Sequence, residues 1–585
     1  MPVQQNNNIN ERRMVSVYVI IMIFAGIVFF KLYTIALSDY AKILPTLTNQ
    51  YTRKMSVVER RGFIFDRNGD IIAGFDNAYN CIVDPSKIPL INSEGKLETL
   101  EDISQNIFEI CENANTLPED ILKNLREGRP FIIRILENIN NEYMTSFQSY
   151  KRNASSNPAA LHITGYVNRE GDGISGIEQS YNDLLKKTSA KIDAVYASNA
   201  IRQSFGGSPI RIIDYGYYDK TGIALTLDIN LQRKAEEIAD KYLNKGAVVI
   251  VSASTGEILA SVSRPVYSLD NISDYIESEN GEFINRAFSS FTPGSVFKTI
   301  IAAAALEKDE ESDNYFNYYN KEYNCTGEIN VSGKIFRCNR KWGHGVLNMC
   351  EAYAESCNTY FMNLALEIGY DCIYETAKKL GIGSRDMLDG LNIKSGNIPD
   401  IKNPPPAFTA NTAIGQGELL ITPLEAARIF CCIANNGELP ELSIVKSFIL
   451  SPENTNQKDI KTIRTKKVLS GSTVNYLLEM TQACVKYGTG AIAAPEYGIA
   501  GGKTSSAESG QYTKIEILNP ETEEFEIQTI QIVHSWFSGY YPANADINQP
   551  TYVISVIAEG GVTENIKSAL IFKEICDYLT AIINN

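Results

Sequence analysis

At 585 residues the chain is too long for a single hydrophobic core, so two or three domains are expected. Its 44% hydrophobic and 21% charged residues are ordinary for a folded protein. A net charge of −15 speaks against nucleic-acid binding, which needs a basic face.

The polar stretch "MPVQQNNNINERR" is followed by "MVSVYVIIMIFAGIVFFKLYTIAL". Val15 to Leu37 make 23 residues with one charge, Lys31. At about 1.5 Å per residue a helix of that length crosses a bilayer core. Arg12 and Arg13 on the near side favour a cytoplasmic N-terminus. The expected arrangement is a short cytoplasmic tail (1–13), a membrane anchor (14–37) and an extracytoplasmic remainder beginning at Ser38. A cleaved signal peptide is the alternative, but its apolar core usually runs only ~7–15 residues. No second apolar run of anchor length follows.

From 38 to 221 the chain is polar and Asn-rich, and it reads as an extended, β-rich and loop-rich module. "RRGFIFDRNGDIIAGFD" holds two short strand-like runs around the turn "DRNG", a hairpin pattern. Residues 98–150 suggest helical pieces with polar linkers, and "GDGISGIEQSYNDLL" gives Gly-rich turns leading into a short helix. The texture changes near Thr226. Asp228 caps an amphipathic helix in "LTLDINLQRKAEEIADKYL", and "GAVVIVSASTGEILASVS" reads as two strands around "STG". A mostly helical stretch runs to about 485. Strand patterns return in "YGIAGGKTSS", "HSWFSGYY" and "TYVISVIAEG", and a closing helix follows in "ENIKSALIFKEICDYLTAII". Strands at both ends of a helical segment predict an α+β domain over 222–585. It should hold a mostly antiparallel sheet, flanked by helices, whose first and last strands meet in space.

Three polar signatures fall in this second domain. In "FTPGSVFKTI" Ser295 and Lys298 share one helix face at i and i+3, which suits a hydroxyl nucleophile and its base. Ser356-Cys-Asn358 lies just before a helix in "AYAESCNTYF". Lys503-Thr504-Ser505 lies on a strand approached through two glycines. Singly, each also reads as a helix cap or an edge-strand lysine.

In this order and behind an anchor, the signatures resemble those of class B penicillin-binding proteins, serine acyl-transferases akin to class A β-lactamases. "RRGFIFDRNGDIIA", "GISGIEQSYNDLL", "SASTGEILASVSRP", "INRAFSSFTPGSVFK", "HGVLNMCEAYAESCNTYF", "IGQGELLITPLEAA" and "HSWFSGYYP" follow in the family's order. The resemblance implies a pedestal domain, a transpeptidase domain and a peptidoglycan stem-peptide substrate, with β-lactam antibiotics as covalent inhibitors. It implies Ser295 as nucleophile, Lys298 as base, Ser356 as proton relay, and Asn358 as holder of the substrate amide and of Lys298. Lys503 would lower the charge on Lys298 and bind the substrate carboxylate, on the segment Thr504–Ser506. The oxyanion would sit between the backbone N–H groups of Ser295 and Ser506. By family analogy the pedestal would contact a polymerising glycosyltransferase. A β-lactam sensor and a carboxypeptidase or β-lactamase are the alternatives on the same acylating domain. A sensor needs more than one span and about 13 cytoplasmic residues, and a hydrolase has no need of the pedestal.

One position departs from the family. Ser505 stands where glycine is usual, on the face of the strand that carries Lys503. Its side chain either narrows the slot or offers a hydrogen bond.

The eleven cysteines are scattered and odd in number, unlike a disulfide scaffold. "NCTGEINVSGKIFRCNRKWGHG" nevertheless places Cys325, Cys338 and His344 within one local segment, a zinc-like ligand set. Cys350, Cys357 or a carboxylate would be the fourth ligand. A Cys325–Cys338 disulfide and three unligated side chains are the competing readings. The chemistry inferred for Ser295 needs no metal.

Overall fold

The computed structural model describes residues 4–36, 51–73, 78–89, 97–111, 117–152, 158–199, 209–311, 316–384, 388, 390–450, 458–459, 464–518, 525–543, 551–561 and 566–583. The chain divides into two compact units. One comprises Met1–Arg60, Asp76–Tyr150 and Ala190–Tyr218, and the other Arg61–Phe75, Lys151–Ser189 and Asp219–Asn585.

The first unit begins with a helix over Gln4–Thr34, which starts well inside the polar tail. Its segment Glu11–Thr34 is apolar enough to cross a membrane and buries nothing against the rest of the protein. The expected end of the span at Leu37 lies outside the described residues. Beyond it are two antiparallel three-stranded sheets, one with Ala190–Ala197 at its centre and one with Tyr79–Val83 at its centre. The helical pieces expected after residue 98 are Leu100–Glu109 and Pro118–Glu127. The first opens on a capping box of Thr99 and Asp102, and the second closes on left-handed Gly128. Ile103, Ile107, Ile121 and Leu125 pack onto Cys81, Val83, Ile133 and Ile135 of the second sheet. That sheet makes the module more regular than its loop-rich sequence suggests.

In the second unit the "DRNG" hairpin pairs Phe63–Phe65 with Ile71–Ala73, and its turn is held by Asp66, which accepts the N–H groups of Asn68 and Asp70. The "GIEQ" segment supplies Glu178, a buried carboxylate that meets Arg61 at 2.8 Å and Arg152 at 2.6 Å. Two guanidiniums on one buried acid fix the path of three chain segments.

The core of this unit is a five-stranded antiparallel sheet in the order β2-β1-β5-β4-β3. Here β1 is Gly246–Ser252, β2 Ile258–Arg264, β3 Gly501–Leu518, β4 Phe525–Tyr541 and β5 Tyr552–Gly561. The first strand pairs directly with the last, Gly246 with Ala558 through Ser252 with Tyr552, as the sequence predicts. Both faces of the sheet are covered, which is why β1 reads as an unbroken apolar run. Val248 and Ile250 join one cluster with α1 (Ile229–Tyr242) and, further along the chain, the closing helix Lys567–Ile583; Ala247, Val249 and Val251 join another with Phe430 of Pro423–Ala434. Asp228 caps α1 by accepting the N–H groups of Asn230 and Leu231. The helix α2 (Lys298–Glu311) is buried on all sides from Lys298 to Leu306, as its run of alanines allows. The strand β3 is one edge of the sheet, and the candidate site lies along it.

Candidate active site

Ser295 stands in a 3-10 turn, Gly294–Phe297, that feeds α2. The α-helix itself starts only at Lys298, one residue after that turn. The turn is fixed from outside: Gly294 N–H donates to Gly415 O at 3.0 Å, and Trp536 Nε1 donates to Thr292 O at 3.1 Å. Gly294 has φ +55°, and a Cβ there would meet the Ser505 hydroxyl at 2.3 Å and Ala507 beyond it. Glycine is required on both counts.

Lys298 is fully buried, and its ammonium donates to Ser356 O (2.7 Å), Ser356 Oγ (3.3 Å) and Asn358 Oδ1 (2.7 Å). Lys503, also fully buried, donates to the same Ser356 Oγ at 3.0 Å and to Thr504 O at 3.1 Å. Three signatures far apart in sequence thus converge on one hydroxyl, through Lys298, Ser356 and Lys503. Burial pushes the Lys298 ammonium down to about 7, and the neighbouring Lys503 cation pushes in the same direction. Burial lowers Lys503 as well. Aromatic faces flank both, Phe361 at 5.7 Å from Lys298 and Tyr353 at 5.5 Å from Lys503. Ser356 sits between α3 (Met349–Ala354) and α4 (Asn358–Ile368) at φ +55°, a left-handed conformation that costs a non-glycine residue about 1–2 kcal/mol. The turn is held by Ser356 N–H on Tyr353 O and Cys357 N–H on Ala352 O, at 3.2 and 2.8 Å.

These residues open on a cleft of about 620 Å³ lined by Ser295, Ser356, Asn358, Thr504, Ser505 and Ser506 among others. Every residue expected at the site is therefore in it or directly behind it. Sequence reasoning missed two contacts. The Thr504 hydroxyl is bonded to Thr489 at 2.7 Å, and the Ser505 hydroxyl accepts the backbone N–H of Ser295 at 2.7 Å. The only signal for the second was the serine standing in a glycine position.

The Cys and His side chains converge beside this site. The Sγ atoms of Cys325, Cys338 and Cys357 and a ring nitrogen of His344 all lie within 4.8 Å of one another. Cys357, not Cys350, is the fourth member, and the thiol of Cys325 is not bonded to that of Cys338. A tetrahedral zinc with Zn–S about 2.3 Å and Zn–N about 2.0–2.1 Å would separate sulfurs by about 3.8 Å and sulfur from nitrogen by about 3.6 Å. The observed separations are 3.8 Å for Cys338–Cys357 and 3.5 Å for His344 Nδ1 to each of Cys325 and Cys338. The donor set suits zinc in chemistry, and these three separations suit it in spacing. The mutual hydrogen bond of Cys338 and Cys357 pushes the Cys338 thiol down and that of Cys357 up.

A family model described as the penicillin-binding protein transpeptidase domain matches residues 246–577. Stage V sporulation protein D of Bacillus subtilis (strain 168) is 26% identical, over 80% of this chain and 72% of its own length. Peptidoglycan D,D-transpeptidase MrdA of Haemophilus influenzae is 24% identical, over 98% of this chain and 92% of its own. The penicillin-binding protein PBP2 of Helicobacter pylori, solved in complex with MreC, superposes with a TM-score of 0.60 at 21% identity, covering 91% of this chain and all of that one. With a serine one helical turn from a buried lysine, that lysine and the lysine of the third signature meeting at the serine hydroxyl of the second, and the family's domain spanning more than half its length, the chain belongs to the class B penicillin-binding proteins.

Proposed function

We propose that the chain is a membrane-anchored peptidoglycan D,D-transpeptidase, with the pedestal over 38–221 and the transpeptidase domain over 222–585. The observation that carries this reading is the convergence of Lys298 and Lys503 on Ser356 Oγ beside the Ser295 turn. Ser295 Oγ attacks the carbonyl carbon between the two terminal D-alanines of a stem peptide, and Lys298 in its free-amine form takes the hydroxyl proton. The tetrahedral oxyanion is received by the N–H groups of Ser295 and Ser506. The C–N bond breaks, the proton passes through Ser356 to the nitrogen, and D-Ala leaves. An amine of a neighbouring stem then attacks the acyl ester, forming the cross-link and restoring the Ser295 hydroxyl. Asn358 holds Lys298 and the substrate amide, and Lys503 with Thr504 binds the substrate carboxylate. A β-lactam enters the first half of this sequence and leaves Ser295 esterified. The direct test is labelling of the full-length chain with a fluorescent penicillin. Failure to form a stable adduct ends the transpeptidase reading.

A base with a pKa of about 7 makes a specific pH profile. Lys298 acts as the free amine, which is the minor form below that value. Acylation should fall about tenfold per pH unit below roughly pH 6 and level off above about 8. Burial lowers the value most, Lys503 lowers it further, and Cys357 and Cys338 raise it. A flat profile between pH 5.5 and 8 would assign the base elsewhere.

The chain would span the membrane once, with the N-terminus inside. Protease added outside intact cells should then digest the region after Ser38, and the mature protein should keep Met14 to Leu37. A processed N-terminus near residue 38 would make the helix a signal peptide. The pedestal would meet assembly partners, a polymerising glycosyltransferase foremost, as class analogy suggests.

We also propose a structural zinc held by Cys325, Cys338, His344 and Cys357, for which the tetrahedral spacing of the donors is the support. Bound there it would cross-link the segment 325–344 to the residue between Ser356 and Asn358. No step of the acyl transfer is routed through it.

A further inference from the structure

The backbone N–H of Ser295 opens the turn that leads into α2, where amides have no acceptor within their own helix. It is the donor that the proposed reaction most needs, since the charge that develops on the carbonyl oxygen must rest against it. In the free protein this N–H is already engaged. Ser505 Oγ accepts it at 2.7 Å, a full-strength bond. The Ser505 side chain is 4% exposed and lies over Gly294, where even a methyl group would collide with its oxygen at 2.3 Å. A serine at this place does not simply line the cleft. Its hydroxyl oxygen already holds the N–H that a substrate's carbonyl oxygen would need.

We infer that the Ser505 hydroxyl is a gate on the oxyanion site: it takes the place of the acyl donor's carbonyl oxygen and must rotate away before Ser295 can be acylated. The inference rests on the reading of Ser295 as nucleophile and its N–H as oxyanion donor. It differs from a steric plug in what it discriminates. A plug would penalise ligands with bulky substituents. A competing acceptor penalises every acyl donor by the same factor, because every acyl donor needs the same N–H. The penalty falls on the step in which the carbonyl enters the site, since only the open fraction of the protein is competent to bind it. Once the hydroxyl has turned aside, attack proceeds unchanged. Ser505 thereby tunes how readily any ligand, β-lactam or stem peptide, gains the reactive pose.

The test uses the full-length protein and stopped-flow acylation by a fluorescent penicillin, resolved into an apparent binding constant and a first-order acylation step. Competition assays extend it to one small and one bulky β-lactam. Ser505→Ala removes the hydroxyl and keeps the Cβ; Ser505→Gly removes both. Both substitutions should raise the second-order rate constant about 3- to 10-fold, the equilibrium weight of one hydrogen bond. The gain should appear in the binding constant, leave the first-order step unchanged and be equal for the two drugs. Acylation unchanged or slowed in Ser505→Ala overturns the gate, as does a gain seen only with glycine, only with the bulky drug or only in the first-order step. The nucleophile reading is tested separately by placing Ser295→Ala in the Ser505→Ala background. Loss of the adduct there leaves the rate comparison to judge the gate alone, whereas a surviving adduct removes the nucleophile assignment and the gate together.

Discussion

Ser295→Ala is expected to abolish covalent labelling by a penicillin while leaving the melting temperature within a degree or two of the parent. The hydroxyl is the only group in the turn that can form the acyl ester, and alanine keeps the backbone N–H that Ser505 accepts. Among the described residues the Ser295 hydroxyl makes no hydrogen bond, and the side chain is only half-buried at the mouth of the cleft. Lys298→Ala should be nearly as severe, slowing acylation by about 10²–10⁴-fold through loss of the base. Its effect on stability is a balance of opposed terms. Removing a fully buried amine forfeits three hydrogen bonds to Ser356 and Asn358, but it also relieves the burial of a cation next to Lys503. The melting temperature should therefore move by only a few degrees, so that lost activity cannot be put down to unfolding. A penicillin-labelled peptide mapping to a serine other than Ser295 would end the assignment. Near-parental acylation in Lys298→Ala would transfer the role of base to another group.

Much of this site is legible in the sequence because acyl transfer needs particular residue types at short spacings. Ser295 and Lys298 lie one turn apart, so a local rule alone puts that pair on one side of its backbone, and Ser356 and Asn358 straddle a single residue, which keeps them close along the chain. The pairing of β1 with β5 was legible for a related reason. Two strongly apolar strands at opposite ends of a helical stretch have few ways to bury themselves except against each other. What escaped the sequence depends on distance. The hydrogen bond from Ser295 N–H to Ser505 joins residues 210 positions apart, and no local pattern encodes it. The left-handed Ser356 was equally hidden, because serine normally avoids that conformation and here tolerates it only as the surrounding turn holds it there. The β-rich character of the 38–221 module is legible, but the short strands Tyr79–Val83, Phe131–Ile135 and Met144–Gln148 are not placed by it, since five residues give too little alternation to separate a strand from a helical turn. The fourth member of the Cys/His cluster was narrowed to Cys350 or Cys357 or a carboxylate by proximity in sequence. The choice of Cys357 needed the turn between α3 and α4, which faces its thiol toward Cys338.

Removal of zinc is expected to lower the melting temperature by roughly 5 °C. A site filled at about a thousand times its dissociation constant contributes about 4 kcal/mol to the folded state, and with an unfolding entropy of about 2.1 cal/mol/K per residue each kcal/mol moves a domain as large as 222–585 by only about 1.3 °C. The unfolded chain cannot offset that term, because His344 is held to Cys325 and Cys338 by two short β-ladders, Tyr323–Cys325 with Gly345–Leu347 and Glu328–Val331 with Lys334–Arg337. Cys357 is also the residue that enters α4, between the two residues that hold Lys298. Loosening it should let Ser356 relax from its left-handed conformation, and acylation should slow several-fold without disappearing, since no step uses the metal. Metal analysis of purified protein should accordingly find about one zinc per chain. Cys325→Ser should lower that content and the melting temperature together. Cys350→Ser, outside the cluster, should leave the zinc content unchanged. Protein free of zinc, with Cys325 and Cys338 joined as a disulfide by mass spectrometry, would refute the metal site and leave the acyl-transfer chemistry of Ser295 untouched.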